Sequence, residues 1–137
     1  MDFAKNDKCA AGSGAFVESM ARALEIKVPE MIELSLKSTH DAPINATCAV
    51  FAESEVVSLI HSKVAKADIA HAVHDAIASR VSSMVRRLPI DKDVAFIGGV
   101  AKNAAVVDVM QKHLELDMVV PEEPEFVSAL GAALSAA

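Results

Sequence analysis

The order of apolar runs, glycines and helical patterns in the second half of the sequence constrains the fold most. An apolar run at residues 94–97 ends in Gly98 and Gly99, a helical pattern covers residues 104–114, and a second apolar run covers residues 117–121. Two short strands joined through a helix favour a parallel pair with a right-handed crossover. The pattern therefore predicts an α/β fold with a small parallel sheet at this end of the chain.

Helical periodicity accounts for most of the remaining sequence. The predicted helices are residues 13–26, 29–36, 56–60 continuing from the apolar residues after Cys48, 69–88 and 126–136, and residues 2–4 are predicted to end a strand. Asp68 is expected to cap the longest helix. Glu18 and Arg22 have the spacing of an ion pair on the solvent face of the first helix. The fold class is thus helix-rich α/β.

Length, charge and hydropathy exclude several classes of protein. A chain of 137 residues argues for a single domain that buries roughly two-thirds of its unfolded surface. No apolar run approaches the roughly 20 residues of a membrane span, and no signal-peptide pattern is present. We therefore expect a cytoplasmic protein without a membrane partner. The net charge of −6 argues against a nucleic-acid surface.

Two cysteines lie in chemically suggestive positions. Cys9 follows Lys8 and precedes the start of a helix, a setting that favours the thiolate, and Cys48 precedes another apolar stretch. From the residues alone, the two thiols are buried cysteines, a redox pair or half of a metal site. Histidines are weaker candidates: His61, His71 and His74 lack a third ligand at suitable spacing, so we predict no metal site there.

Glycines mark two places where a ligand approaches backbone closely. Gly12 and Gly14 open the first helix, and a helix start suits an anion. Gly98 and Gly99 follow a strand, and ligands of such sheets bind at the carboxyl ends of strands. Tight turns without a ligand explain both pairs equally well at this level. No catalytic residue is identified by sequence.

Three segments together carry a family resemblance. They are NDKCAAGSG at residues 6–14, TCAVFAESEV at residues 47–56 and FIGGVAKN at residues 96–103. They resemble the ATP-dependent activators of 2-hydroxyacyl-CoA dehydratases and the related ATPase subunits of benzoyl-CoA reductase. The resemblance implies a partial ribonuclease H-like, actin-like ATPase domain. Residues 1–137 are then expected to be a carboxyl-terminal ATPase subdomain that lacks the amino-terminal subdomain.

The same resemblance implies cofactors. It places ATP or ADP with magnesium near Gly98, Gly99, Lys102 and Asn103. Gly12 and Gly14 are expected at a helix start between the nucleotide and a metal site. The metal ligands are expected to be Cys9 and Cys48, doubled by a two-fold dimer to hold one 4Fe–4S cluster. Four thiolates are what such a cluster takes, and a symmetric dimer supplies each cysteine twice.

The resemblance also implies partners and an activity. It points to a second copy of the chain, to subunits of an acyl-CoA dehydratase or reductase, and to ferredoxin or flavodoxin as electron donor. The activity is ATP-coupled transfer of an electron at low potential. The family's Asp-x-Gly-Gly phosphate loop is absent from these residues, so we expect no ATP turnover by this chain alone. A sugar or acid kinase domain without a cluster, and a non-catalytic fragment, are the alternatives.

Overall fold

The computed structural model describes residues 2–6, 12–45, 48–91 and 93–137. Within them, the chain forms six α-helices, one 3₁₀ turn and a two-stranded sheet. In chain order the elements are α1 (Ser13–Ala23), α2 (Val28–Ser35), α3 (Ala49–His61), α4 (Lys66–Val85), β1 (Val94–Ala95), a 3₁₀ turn (Gly99–Lys102), α5 (Ala104–Leu114), β2 (Met118–Val119) and α6 (Val127–Ala136). The helix-rich α/β class predicted from sequence is confirmed.

The sheet is parallel, as predicted, and α5 makes the crossover. Val94 pairs with Met118 and Ala95 pairs with Val119. The ladder is shorter than the apolar runs suggested, because each strand has one partner within the described residues. At the other end of the chain, the strand predicted at residues 2–4 is not formed, and Phe3 is 83% exposed.

The main core lies between α1, α2, α3 and α4. Its largest fully buried apolar side chains are Met20, Leu24, Met31, Val56, Ile69 and Val73. A second group joins the carboxyl-terminal half of α4 to α5 through Ala78, Val106, Val109 and Met110. Full burial of each large apolar side chain is worth roughly 1.5–3 kcal/mol, so these contacts hold α1 and α5 in fixed positions on α4.

Asp68 has a different role from the predicted helix cap. The helix begins two residues earlier, at Lys66, and the Asp68 carboxylate accepts three hydrogen bonds from a preceding loop. The donors are Ser38 Oγ at 2.8 Å, the Thr39 amide at 3.0 Å and the His40 amide at 3.1 Å. These bonds, led by that of Ser38, lower the pKa of Asp68. Asp68 therefore ties the loop to α4.

The surface of α6 contrasts with the core helices. The helix contains no buried residue, and Phe126, Leu130 and Leu134 are all more than half exposed. Their i, i+4, i+8 spacing puts these three side chains on one face. Across the part of the chain that the structure describes, no helix is long and apolar enough to cross a membrane.

Candidate functional site

A cleft of about 400 Å³ lies between the first turns of α1 and the turn that follows β1. Seven residues line it: Gly14, Val17, Glu18, Val28, Gly99, Val100 and Asn103. Three of the six residues that the sequence suggested for cofactor binding, Gly14, Gly99 and Asn103, thus share one cleft. Its walls are mostly glycine backbone and valine side chains, a surface suited to a flat, weakly polar group.

The turn after β1 exposes bare backbone to this cleft. Gly98 has φ of +94°, a conformation that side-chain-bearing residues rarely adopt, and its amide donates to the Pro124 carbonyl at 2.8 Å. A β-carbon placed on Gly99 would have no neighbour within 4 Å. Gly98 is therefore required by the backbone, whereas Gly99 leaves open space beside the chain.

Asn103 is buried and its side-chain amide is already used. Its Oδ1 accepts from the amides of Ala105 and Val106, each at 3.1 Å, and so caps α5. Its Nδ2 lies 3.2 Å from His74 Nε2. Asn103 thus shapes the floor of the cleft by fixing the start of α5.

His74 supports Asn103 from below, a role that sequence reasoning missed. Because Asn103 Oδ1 accepts two bonds, its Nδ2 must donate, so His74 Nε2 accepts and the ring proton lies on Nδ1. Nδ1 is buried with no partner among the described residues. Burial, and secondly the nearby His71, lower the pKa of His74 to about 4. The only sequence signal was the position of His74 beside the apolar residues of the predicted helix 69–88.

Lys102 lies on the outer side of the same turn. Its Nζ bonds the Glu125 carboxylate and lies 3.8 Å from Glu123 Oε2. The bond to Glu125 raises the pKa of Lys102, and the same bond lowers the pKa of Glu125. The positive charge of Lys102, expected beside a nucleotide, is thus paired with two glutamates from the segment between β2 and α6.

One glycine of each pair, Gly14 at the start of α1 and Gly99 in the turn after β1, lines the cleft. Gly12 precedes the helix, and its carbonyl accepts from the Phe16 amide at 3.0 Å. A β-carbon on Gly14 would lie 3.5 Å from Val100 Cγ2, so the first turn of α1 contacts the 3₁₀ turn directly. Gly14 lines the cleft, whereas Gly12 does not. Movement of α1 would therefore change the shape of the cleft.

One of the two predicted metal ligands, Cys48, lies among the described residues. Cys9 lies outside the described residues. Cys48 is half-buried and immediately precedes α3, where its carbonyl accepts from the Ala52 amide at 2.9 Å. The next two large side chains, Val50 and Phe51, are 69% and 68% exposed. Cys48 therefore sits at the edge of an apolar surface on the amino-terminal end of α3.

Other candidate metal ligands are dispersed over the described ranges. Residues 2–6, 12–45, 48–91 and 93–137 contain no group of three or more His, Cys, Asp or Glu side chains arranged to hold a metal ion. His61 is exposed on α3, while His74 is fully buried beneath Asn103.

The sequence matches one family model and several curated proteins. The model of the BadF/BadG/BcrA/BcrD ATPase family matches residues 1–136. The chain is 48% identical over 134 residues to the activator of lactoyl-CoA dehydratase from Anaerotignum propionicum, covering 98% of this chain and 52% of the relative. It is 44% identical over 135 residues to the (R)-2-hydroxyglutaryl-CoA dehydratase activating ATPase of Acidaminococcus fermentans, covering 98% and 52%.

A solved structure agrees with these relatives. The activator of 2-hydroxyisocaproyl-CoA dehydratase from Clostridium difficile, with bound ADPNP, superposes with a TM-score of 0.88 at 42% identity. The match covers 96% of this chain and 49% of that one. The chain spans about half the length of the curated relatives it matches. The actin-like ATPase fold implied by the sequence motifs is confirmed.

Proposed function

This chain belongs to the BadF/BadG/BcrA/BcrD ATPase family, and from that premise we propose that it is part of an ATP-dependent activator of a 2-hydroxyacyl-CoA dehydratase. In this proposal the cleft between α1 and the Gly98-Gly99 turn takes the nucleoside of ATP. Cys9 and Cys48 of two copies of the chain hold one 4Fe–4S cluster. When bound, the cluster would supply an electron at low potential for the dehydratase.

The observation that carries the proposal is the position of α1. The helix lines the cleft through Gly14 and Val17, and it also packs on α3, which begins directly after Cys48. The stretch that enters α1 contains Cys9. A nucleotide that shifts α1 therefore acts on the surroundings of both cysteines through one rigid element.

The donor set suits an iron–sulfur cluster. Two cysteines are present in the sequence, and a 4Fe–4S cluster takes four thiolates, so a two-fold axis completes the set. Cys48 lies at a helix start, where unpaired amides and the helix dipole stabilise negative charge. The exposed Val50 and Phe51 beside it supply apolar surface for a second copy. When bound, the cluster supplies one-electron chemistry at low potential.

The partner follows from the relatives. The two relatives and the solved structure described above all act on dehydratases, and we propose a dehydratase as electron acceptor. A ferredoxin or flavodoxin is the proposed donor, because the low-potential electron must come from a carrier of comparable potential. The kinase alternative requires a catalytic aspartate near the ligand. The described residues that line the cleft include one carboxylate, Glu18, and no aspartate.

The test of the cluster is anaerobic purification followed by iron, sulfide and visible absorption measurements. We expect about two irons and two sulfides per chain, a broad visible band and a dimer in sedimentation. Cys9→Ser and Cys48→Ser should each abolish the band. Ser54→Ala, on the exposed face of α3, is the matched control and should leave it unchanged. A band that persists in either cysteine variant contradicts the ligand assignment.

The proposal also predicts the behaviour of this chain with ATP alone. Among the described residues, the lining of the cleft contains no basic side chain that could clamp phosphate, so we expect no ATP turnover above the blank. The measurement is phosphate release with magnesium, using Gly99→Asp as a cleft-blocking control. Turnover that Gly99→Asp eliminates contradicts this expectation.

A further inference from the structure

Glu18 occupies a position in the cleft that its sequence context did not suggest. It lies one helical turn after Gly14, so the two residues share a face of α1, and both line the cleft. The expected ion pair with Arg22 is not formed. Among the described residues, Glu18 makes no hydrogen bond and no ion pair, and it is exposed to solvent.

The other polar side chain of the cleft is partly committed. Asn103 uses Oδ1 to cap α5 and one N–H of Nδ2 to contact His74, so its acceptor oxygen is occupied and one N–H donor remains. Lys102, on the same turn, is matched by Glu123 and Glu125 outside the lining. Among the described residues that line the cleft, Glu18 is thus the one side chain whose acceptor oxygens are uncommitted.

Because Glu18 is negatively charged, only certain chemical groups of a ligand can lie beside it. A carboxylate repels phosphate and accepts hydrogen bonds, and it has two oxygens that can accept from two adjacent donors. Adjacent hydroxyl groups on one ring meet that requirement, while the valines and bare glycine backbone suit the flat face of a base. Phosphates must then lie away from Glu18.

We propose that Glu18 is a specificity-determining residue of the cleft, which accepts hydrogen bonds from the vicinal 2′ and 3′ hydroxyls of a ribonucleoside. The inference rests on the proposed nucleotide function and extends it: the site takes ribonucleotides in preference to deoxyribonucleotides. Hydrogen bonds to a charged group are about twice as strong as neutral ones, so the carboxylate contributes more than an amide would.

The experiment is titration calorimetry of the full chain with ATP and with 2′-deoxy-ATP, each with magnesium. The parent chain is expected to bind ATP about tenfold more tightly than 2′-deoxy-ATP, which is the loss of one charge-assisted hydrogen bond. Glu18→Gln should weaken ATP binding about tenfold and bring the two affinities close together. Glu33→Gln, an equal change of charge on the exposed side of α2, should preserve the preference.

The outcomes separate this inference from the proposed function. No ATP binding by the parent chain contradicts the proposed nucleotide site and the inference with it. ATP binding with an unchanged preference in Glu18→Gln overturns the inference alone. Equal weakening of both nucleotides points to the amino group of the base instead of ribose, and tighter binding points to simple repulsion of phosphate; either result overturns it. Thermal unfolding of each variant checks that the fold is intact.

Discussion

The two sides of the turn after β1 place neighbouring residues in opposite environments. On the inner side, Asn103 is 7% exposed and bonds a histidine that is completely buried. On the outer side, Lys102 is about half exposed and pairs with Glu125 and Glu123. One side is a neutral network in the protein interior, and the other is a charged network at the surface.

This difference shows which polar contacts hold the cleft in shape. A buried group that loses its partner retains the full cost of desolvation, whereas water and ions replace the partner of a surface charge. Although the ion pair carries more charge, the neutral pair should therefore contribute more to stability. The predictions that follow test this ranking.

The largest effect is expected from Asn103→Ala. The substitution removes the cap of α5 and leaves His74 Nε2 buried without a donor, which together should lower the free energy of unfolding by about 2–4 kcal/mol. Chemical denaturation at pH 7 measures it. Asn103→Asp keeps an oxygen for the cap and is expected to lie between parent and alanine variant. A smaller loss for Asn103→Ala than for Lys102→Met would reverse the ranking.

A comparable effect should come from pH, through His74. Its pKa falls from 6.5 to about 4 on folding, so between these values the unfolded chain binds more protons than the folded one. Stability should therefore rise with pH across this window and be lower near pH 4 by on the order of 3 kcal/mol. Denaturation at a series of pH values measures the slope.

The matched variants for this prediction are His74→Gln and His61→Gln. Glutamine at 74 retains an acceptor for Asn103 and does not titrate, so the part of the slope due to His74 should disappear. His61 is exposed on α3, and its replacement should leave the slope unchanged. An unaltered slope in His74→Gln would show that the buried imidazole is not its source.

The smallest effect is expected from Lys102→Met. This variant keeps much of the side-chain length and removes the exposed ion pairs with Glu123 and Glu125, which water and salt already weaken. The melting temperature should shift slightly at low salt and be indistinguishable from the parent at high salt. Lys112→Met, which breaks another exposed pair with Asp108, is the comparison. A large, salt-independent shift would place Lys102 in the interior network instead.

Local patterns predicted much of the fold correctly. The bounds of α5 are those expected, and the parallel pairing of β1 and β2 is confirmed. Periodicity and glycine positions depend on neighbouring residues, so a single sequence contains this information. Asp68 was misassigned because its three donors come from residues 38–40, far away in sequence. The strand at residues 2–4 was wrong because a ladder needs a partner that local sequence does not reveal.

The cleft shows the same division. The sequence predicted Gly14 and Gly99 from their places at a helix start and after a strand, and Asn103 from the family resemblance, and these three residues line one cleft. Only the folded chain assigned the amide of Asn103 to His74, gave the charge of Lys102 to Glu125, and left Glu18 facing the cleft. Burial and pairing depend on residues brought together across the chain, and no local pattern contains that information.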